Sequence, residues 1–428
     1  MKKLNLLLCY FLLYSIHTEA QWNIQTNFSS HIHDLKTFNG QLYIGGNFTN
    51  RDLNACYWST SYDGNNFTDQ PTSISGSGIE QLELFAGELY ATGSMNSGFG
   101  NHGVYKWTGT TWAEVGSINN SPIGIFADGS DLYIGNSGGE IYKKTGAGSF
   151  VALPSLDYST DDIRVITKYK GDIIIAGDLN DYNSTNLNHI ARFDGTDWLP
   201  LGAGLSGGLF SGSVRCMVVY QNELYVGGSF SYAGGQSSKF IAKWDGTSWS
   251  DVGGSMTGTG YNGVRDMVVH DNKLFVVGEF DEMGGITSNI VAMWDGATWQ
   301  SLDLPFSGGF ATCIEVFNNK LYLSTWDFNQ SHLHSRDLNT VAIQNIKERT
   351  FDWDIYPNPS EGVLNIELQE EVESVTVEIS NTLGKMVLFQ QVNFDARIQI
   401  NAQDQPQGIY YVKLTAGNKI GLRKIVLR

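Results

Sequence analysis

Seven times along the chain a short polar turn is followed by an apolar run: NGQLYIGG (39–46), AGELYATG (86–93), GSDLYIGN (129–136), KGDIIIAG (170–177), QNELYVGG (221–228), DNKLFVVG (271–278) and NNKLYLST (318–325). Counted from the first apolar residue after each turn, Leu42, Leu89, Leu132, Ile173, Leu224, Leu274 and Leu321, the intervals are 47, 43, 41, 51, 50 and 47 residues. A strand-patterned unit with a period in the forties cannot bury its apolar face alone, and stacking such units side by side in a ring does so. The fifth repeat resolves into four predicted strands, VRCMVVY (214–220), LYVGGSF (224–230), FIAKWD (240–245) and WSDVG (249–253). The first pair meets at a tight turn. The second meets at Asp245-Gly246-Thr247-Ser248, where glycine supplies the positive φ that a hairpin needs. The same turn returns at Asp63-Gly64, Asp194-Gly195 and Asp295-Gly296, and as Thr108-Gly109. Trp112, Trp198, Trp249 and Trp299 follow it at one phase, which predicts packing between repeats.

Trp22-Asn23-Ile24 matches the start of a fourth strand, while the seventh repeat fades after His332-Leu333-His334. The N-terminal segment is therefore expected to supply the outer strand of the last unit, leaving no open edge. Leu338 to Ile346 is the alternative. Towards the C-terminus the period breaks. VLNIEL, VTVEIS, MVLFQ, RIQI, YYVKL and KIVLR then read as short alternating strands with turns at Gly384 and Gly417. The expected fold class is all-β: a seven-bladed β-propeller over residues 21–346, a linker at 347–353 and a small C-terminal β-sandwich over 354–428. Gly at 49 residues, aromatics at 12% and charged residues at only 17% suit that class better than a helical one.

The C-terminal segment carries Tyr356-Pro357-Asn358-Pro359, Gly384-Lys385 after a short strand, Gly408-Ile409-Tyr410, and a basic final strand ending Lys424-Ile425-Val426-Leu427-Arg428. In that order these motifs resemble the C-terminal sorting domain of cargo for the type IX secretion system of Bacteroidota. The resemblance implies the type IX secretion machinery as partner, passage through the periplasm, and a secreted or outer-membrane surface destination. It also implies a sorting domain that is removed or used for attachment after export. At the other end, Lys2 and Lys3 precede an apolar run from Leu4 to Ile16 and a Thr18-Glu19-Ala20 cleavage pattern, so residues 1–20 are expected to be a signal peptide. No other stretch approaches the roughly 20 apolar residues a membrane span requires, and no transmembrane segment is expected.

The net charge is −17, and residues 21–351 hold 18 basic against 33 acidic side chains. That excess argues against nucleic acid and anionic membranes as partners. Cys56, Cys216 and Cys313 remain after signal cleavage; an odd number excludes a disulfide framework, and buried thiols are expected.

The connections within the predicted hairpins are short, whereas Asp178 to Asn188, Leu201 to Ser213, Phe230 to Lys239 and Val252 to Gly263 are long and would emerge on one face. Arg164, Arg215 and Arg265 lie nine residues before successive anchors, with His33 and Glu80 at the same phase of the first two repeats. Just upstream in the long loops stand Tyr158, Phe210, Tyr261 and Phe310. Guanidinium groups beside aromatic faces predict a site for an acidic glycan or another carboxylate-bearing ligand, formed by Arg164, Arg215, Arg265, Tyr158, Phe210 and Tyr261. The competing reading pairs each arginine with an acidic neighbour such as Asp162 or Asp266. The pairs His31/His33 and His332/His334 would share strand faces, but no metal and no cofactor is expected. Asp178-Leu179-Asn180-Asp181 fails the spacing of a calcium loop.

Gly45-Gly46 and Gly227-Gly228, with a tryptophan after the third strand, resemble kelch and galactose-oxidase-like propellers over residues 22–345; this implies architecture, since such rings host enzymes and binding proteins alike. The Ser-x-Asp-x-Gly-x-Thr-Trp boxes of sialidases are missing, as are nucleophile-elbow, zincin and phosphate-loop motifs. The sequence predicts a secreted or cell-surface binding or scaffold module of acidic-glycan or protein ligands, with a carbohydrate-active enzyme on the same ring as the alternative.

Overall fold

A computed structural model describes residues 21–70, 75–96, 102–157, 161–208, 213–254, 256, 263–306, 308–338, 353–368, 374–381, 386–393, 397–416 and 419–428. The expected signal peptide, and Tyr158, Phe210 and Tyr261, lie outside these residues. So do residues 339–346 of the alternative closing segment and the expected linker as far as residue 352. Two compact units divide the chain between Leu338 and Asn339.

The first unit is a seven-bladed propeller. Its innermost strands are Ile32–Phe38, Gln81–Phe85, Pro122–Asp128, Asp162–Tyr169, Val214–Tyr220, Gly263–His270 and Phe310–Phe317; each packs beside the next, and the last beside the first. Each heads an antiparallel four-stranded blade. The seventh blade takes Phe310–Phe317, Lys320–Trp326 and Ser331–Asp337 from the end of the unit and Asn23–Phe28 from its beginning, with Phe28 opposite Ser331. The ring thus closes by pairing its two termini, as the Trp22 pattern predicts. The long second-to-third-strand connections carry structure of their own: several fold into two-residue ribbons, such as Tyr232–Ala233 against Gln236–Ser237 and Glu282–Met283 against Ile286–Thr287. Gly234-Gly235 and Gly284-Gly285, all at positive φ, turn two of them.

The recurring tryptophans hold neighbouring blades together. Trp22, Trp198, Trp249 and Trp299 are buried, and each indole N–H donates to a carbonyl of the preceding blade, on Leu302, Pro154, Leu201 and Val252, all at 2.8 Å. Trp112 uses Ser59 Oγ at 3.0 Å. Trp249→Phe should therefore cost about 1–3 kcal/mol, because the Leu201 carbonyl is left buried and unmet. A denaturant midpoint equal to wild type would show that this bond adds nothing. In the outer turns one carboxylate oxygen accepts two backbone N–H groups, Asp245 Oδ1 from Thr247 (2.6 Å) and Ser248 (2.8 Å), with Gly246 at φ 109°.

A second set of staples lies eight residues before the anchors. Asp34 Oδ2 accepts the N–H of Leu82 in the next blade (2.7 Å), Gln81 Oε1 that of Ile125 (3.0 Å) and Asp266 Oδ2 that of Ile314 (2.8 Å). Cys216 and Cys313 occupy the same phase as buried free thiols. Burial pushes the Asp34 carboxyl up to about 6, against Lys36, and Asp266 up to about 8, with Asp34 adding to it. Glu315, near them, is raised by burial to about 7. Groups whose folded pKa exceeds the unfolded value of about 4 contribute stability below that pH, and the contribution is lost as pH rises through the folded values. The propeller should therefore be less stable at pH 9 than at pH 5, and Asp266→Asn should flatten the slope of unfolding free energy between them. An unaltered slope would show that Asp266 does not titrate in that window.

The second unit is a β-sandwich. One sheet orders Trp353–Tyr356, Val363–Leu368 and Arg397–Asn401; the other orders Met386–Asn393, Ser374–Asn381, Gly408–Ala416 and Lys419–Leu427. Alternating residues from both, including Leu364, Ile366, Val377, Ile379, Val412, Leu414 and Ile425, close on Trp353, which is 0% exposed. The first strand starts one residue before the expected boundary for this reason: Trp353 is the centre of the core rather than the end of a linker.

Candidate functional site

In six of the seven innermost strands the register slips by one residue at the same place. The extra residues are His33, Ile123, Arg164, Arg215, Arg265 and Thr312. Each stands nine residues before its anchor, and Glu80 holds that place in the second blade. A β-bulge leaves its extra residue out of the ladder and re-aims the side chain. At three of the bulges a glycine on the partner strand admits a close backbone approach. A Cβ on Gly46, Gly228 or Gly278 would run into the carbonyl oxygen of His31, Ser213 or Gly263.

These residues meet at one mouth of the ring. His33, Glu80, Ile123, Arg164, Arg215, Arg265 and Thr312 line a cavity of about 260 Å³, together with His31, Ile32 and Gln81. The three predicted arginines are thus brought together. Ile123 and Thr312 complete the circle, and counting nine back from Leu132 and Leu321 finds both; their uncharged side chains hid them. The aromatic members of the expected site, Tyr158, Phe210 and Tyr261, lie outside the described residues, whereas Phe310 is in place, with the Arg265 guanidinium 3.8 Å from its ring centre.

The arginines are not equivalent. Arg164 Nη2 bonds the carboxylates of Asp162 and Asp178, the latter at 3.1 Å, which matches the competing ion-pair reading for Asp162. Asp266 does not pair with Arg265; its oxygens go to the N–H groups of Met267 and Ile314. Burial and then the Arg164 charge disfavour the charged form of Arg215, with Asp178 and Glu279 opposing. Burial and then Arg215 act the same way on Arg265, with Glu279 opposing. Guanidinium stays protonated all the same. The result is an arc of like charges held close in a half-buried cleft, which an anion would relieve.

Across the cavity His33 Nδ1 and Glu80 Oε2 are 2.7 Å apart. Burial pushes the Glu80 carboxyl up, but the hydrogen bond and charge of His33, with Arg164, carry it below its ordinary value. His31 stacks on Trp326 with ring centres 4.0 Å apart; burial, then His33 and Arg265, lower its pKa to about 4. The second histidine pair is engaged elsewhere: His332 contacts Asn27 and Asp327, and His334 contacts Thr325. Among the described residues no group of three or more His, Cys, Asp or Glu stands within reach of one ion.

In the second unit the two ends of the expected sorting motif form one structure. The Asn358 amide donates to Lys424 O at 2.8 Å and accepts the Val426 N–H at 2.9 Å, and Ser360 N–H donates to Val426 O at 2.9 Å. The Tyr-Pro-Asn-Pro segment is thereby zipped to the basic final strand. Residues 354–428 match the family described as the secretion system C-terminal sorting domain. The chain is cargo of the type IX secretion system. Its destination is the outer-membrane surface or the medium, and the secretion machinery is its partner through the C-terminal domain. No helix among the described residues is long and apolar enough to cross a membrane.

No curated protein matches the sequence. Among solved structures, the WD40 β-propeller domain of Doa1 aligns at 10% identity over 76% of this cargo chain and 100% of its own, with a TM-score of 0.49. YCF48 bound to D1 peptide aligns at 13% identity over 75% and 96%, with a TM-score of 0.47. The computationally designed Ika8 protein aligns at 12% over 93% and 98%, with a TM-score of 0.40.

Proposed function

We propose that the exported propeller is a binding module whose long-loop face takes a carboxylate-bearing ligand, an acidic glycan above all, through Arg164, Arg215 and Arg265. The observation that carries this reading is the convergence of three bulged arginines on one cavity of about 260 Å³ in a chain of net charge −17. Cations gathered against an acidic background mark a place built for an anion. The volume, below the roughly 300–1,000 Å³ of drug-sized pockets, suits one acidic sugar unit rather than a long segment of chain. Tyr158, Phe210 and Tyr261, in the loops just before these strands, are proposed to stack on the sugar. Residues 1–20, as a signal peptide cleaved after Ala20, would start the export that the sorting domain completes.

Charge-assisted hydrogen bonds contribute about 1.5–3 kcal/mol, so Arg215→Ala should weaken binding by roughly ten- to a hundred-fold. Calorimetric titration of the mature protein with oligogalacturonate measures it. Failure of the wild type to bind acidic oligosaccharides, or equal binding by a folded Arg215→Ala variant, would overturn the assignment. The alternative, a carbohydrate-active enzyme, is favoured by one specific feature, the His33–Glu80 pair facing the arginines.

A further inference from the structure

We propose that the same cavity cleaves the polyuronate it binds by β-elimination, with His33 as the proton-transferring base and Glu80 as its positioning residue. This inference rests on the carboxylate-binding reading above and extends it to a reaction.

The argument begins with what lines the cavity. Its polar groups fall into a cationic arc, Arg164, Arg215 and Arg265, and a hydrogen-bonded pair, His33 and Glu80. A carboxylate on Nδ1 fixes the imidazole tautomer and orientation, and leaves Nε2 as the nitrogen that can take a proton. Glycoside hydrolysis calls for two carboxyl groups flanking the bond, one on each side. Among the lining residues Glu80 is the single carboxylate, and it is engaged with His33. What the site offers instead is a base beside a place where a carboxylate is held by positive charge. That pairing serves abstraction of a proton α to a carboxylate, because the charge developing on the carboxylate oxygens as the proton leaves is the charge the arginines face.

The steps balance without any further reagent. His33 Nε2 takes the proton from C5 of the uronate, and the C–H electron pair is delocalised into the carboxylate held by the arginines. The pair then forms the C4–C5 double bond as the C4–O4 bond breaks, and its electrons leave on O4. O4 takes up a proton from solvent as the sugar departs, and the imidazolium gives its own proton back to water. Carbon is neither oxidised nor reduced overall, and no water is consumed.

Several features preorganise this arrangement. The bulge frees His33 from its ladder while the flanking residues stay paired to Gly45 and Gly46. Arg164 is steadied by Asp162 and Asp178, and Arg265 by the Phe310 ring. His31, stacked on Trp326, forms a wall beside the pair.

The test incubates the mature, full-length protein with sodium polygalacturonate and, separately, alginate. Ultraviolet absorbance follows the conjugated product, and calorimetry follows binding in parallel. The expected result is an unsaturated product from at least one polymer. His33→Ala should lower kcat by about 10²–10⁴-fold while uronate affinity is kept, with His33→Asn as a second variant should the first not fold. Glu80→Gln should lower kcat with KM held, and Glu80→Asp should restore part of it, a split that a merely structural role would not give. Binding without unsaturated product would overturn the elimination and leave the binding reading standing. Saturated reducing ends, or full activity in His33→Ala, would overturn it equally. Absence of binding to either polymer would overturn both readings.

Discussion

Deletion of residues 21–28 should leave the propeller unable to fold as a soluble monomer. These residues supply the outer strand of the seventh blade, paired from Asn23 opposite Ser335 to Phe28 opposite Ser331. With them go two buried aromatics: Trp22, whose indole bonds Leu302, and Phe28, 1% exposed against Phe48. Truncating one large buried aromatic costs about 3–5 kcal/mol, and an ordinary domain holds about 5–15 kcal/mol in all. Losing both, with the pairing and the Thr26–Asp52 hydrogen bond of 2.6 Å, consumes most of that margin. It also exposes Ser331–Asp337 as an open edge able to pair with other chains. Phe28→Ala is the graded version and should lower the thermal midpoint, whereas Ile24→Ala, at an exposed position on the same strand, should leave it within error. A deleted protein that stays monomeric with its wild-type midpoint would mean that another segment closes the ring.

The ring, its blade count and its closure were legible because a period is read along the chain without knowing any contact. Trp22 announced the closing strand since it repeats the phase of Trp198, Trp249 and Trp299. The site was legible only in part. The phase of Arg164, Arg215 and Arg265 placed them together, but nothing in the sequence says that they sit on bulges. At three of the bulges a glycine, Gly46, Gly228 or Gly278, allows a close approach to the neighbouring backbone that is visible only once the strands are docked. Asp266 shows the opposite limit. Next to Arg265 in sequence it looked like an ion-pair partner, yet successive strand residues point to opposite sides, and its carboxylate instead reaches Ile314 in the next blade. The same alternation explains why Asp34 and Asp266, one residue past the bulge, staple blades instead of lining the cavity, whereas Gln81, in the blade without a bulge, does both. The short ribbons in the second-to-third-strand loops escaped notice because two residues carry no period.

Export should fail altogether when Gly408 to Arg428 are removed, leaving the protein in the periplasm. The segment contributes Gly408–Ala416 and Lys419–Leu427, adjacent strands of one sheet, and takes Tyr410, Val412, Leu414, Ile425 and Leu427 out of the core around Trp353. The truncation therefore removes the fold of the sorting domain along with any surface the secretion machinery reads, and a second variant must separate the two. Lys424 serves for that purpose. Its side chain is exposed on the final strand, while its backbone carbonyl accepts the Asn358 amide, so Lys424→Glu reverses the charge and leaves that bond in place. Asn358→Ala does the converse: it unzips the Tyr-Pro-Asn-Pro segment from the final strand and leaves the basic surface untouched. If the machinery recognises the basic strand, Lys424→Glu should slow export while the domain melts as wild type does, and Asn358→Ala should lower the melting temperature before it affects export. Fractionation of cells into periplasm, surface and medium gives the answer for all three. Full delivery of the truncated chain to the surface or medium would detach the C-terminal domain from export, and wild-type export of Lys424→Glu would move recognition away from the final strand's charge.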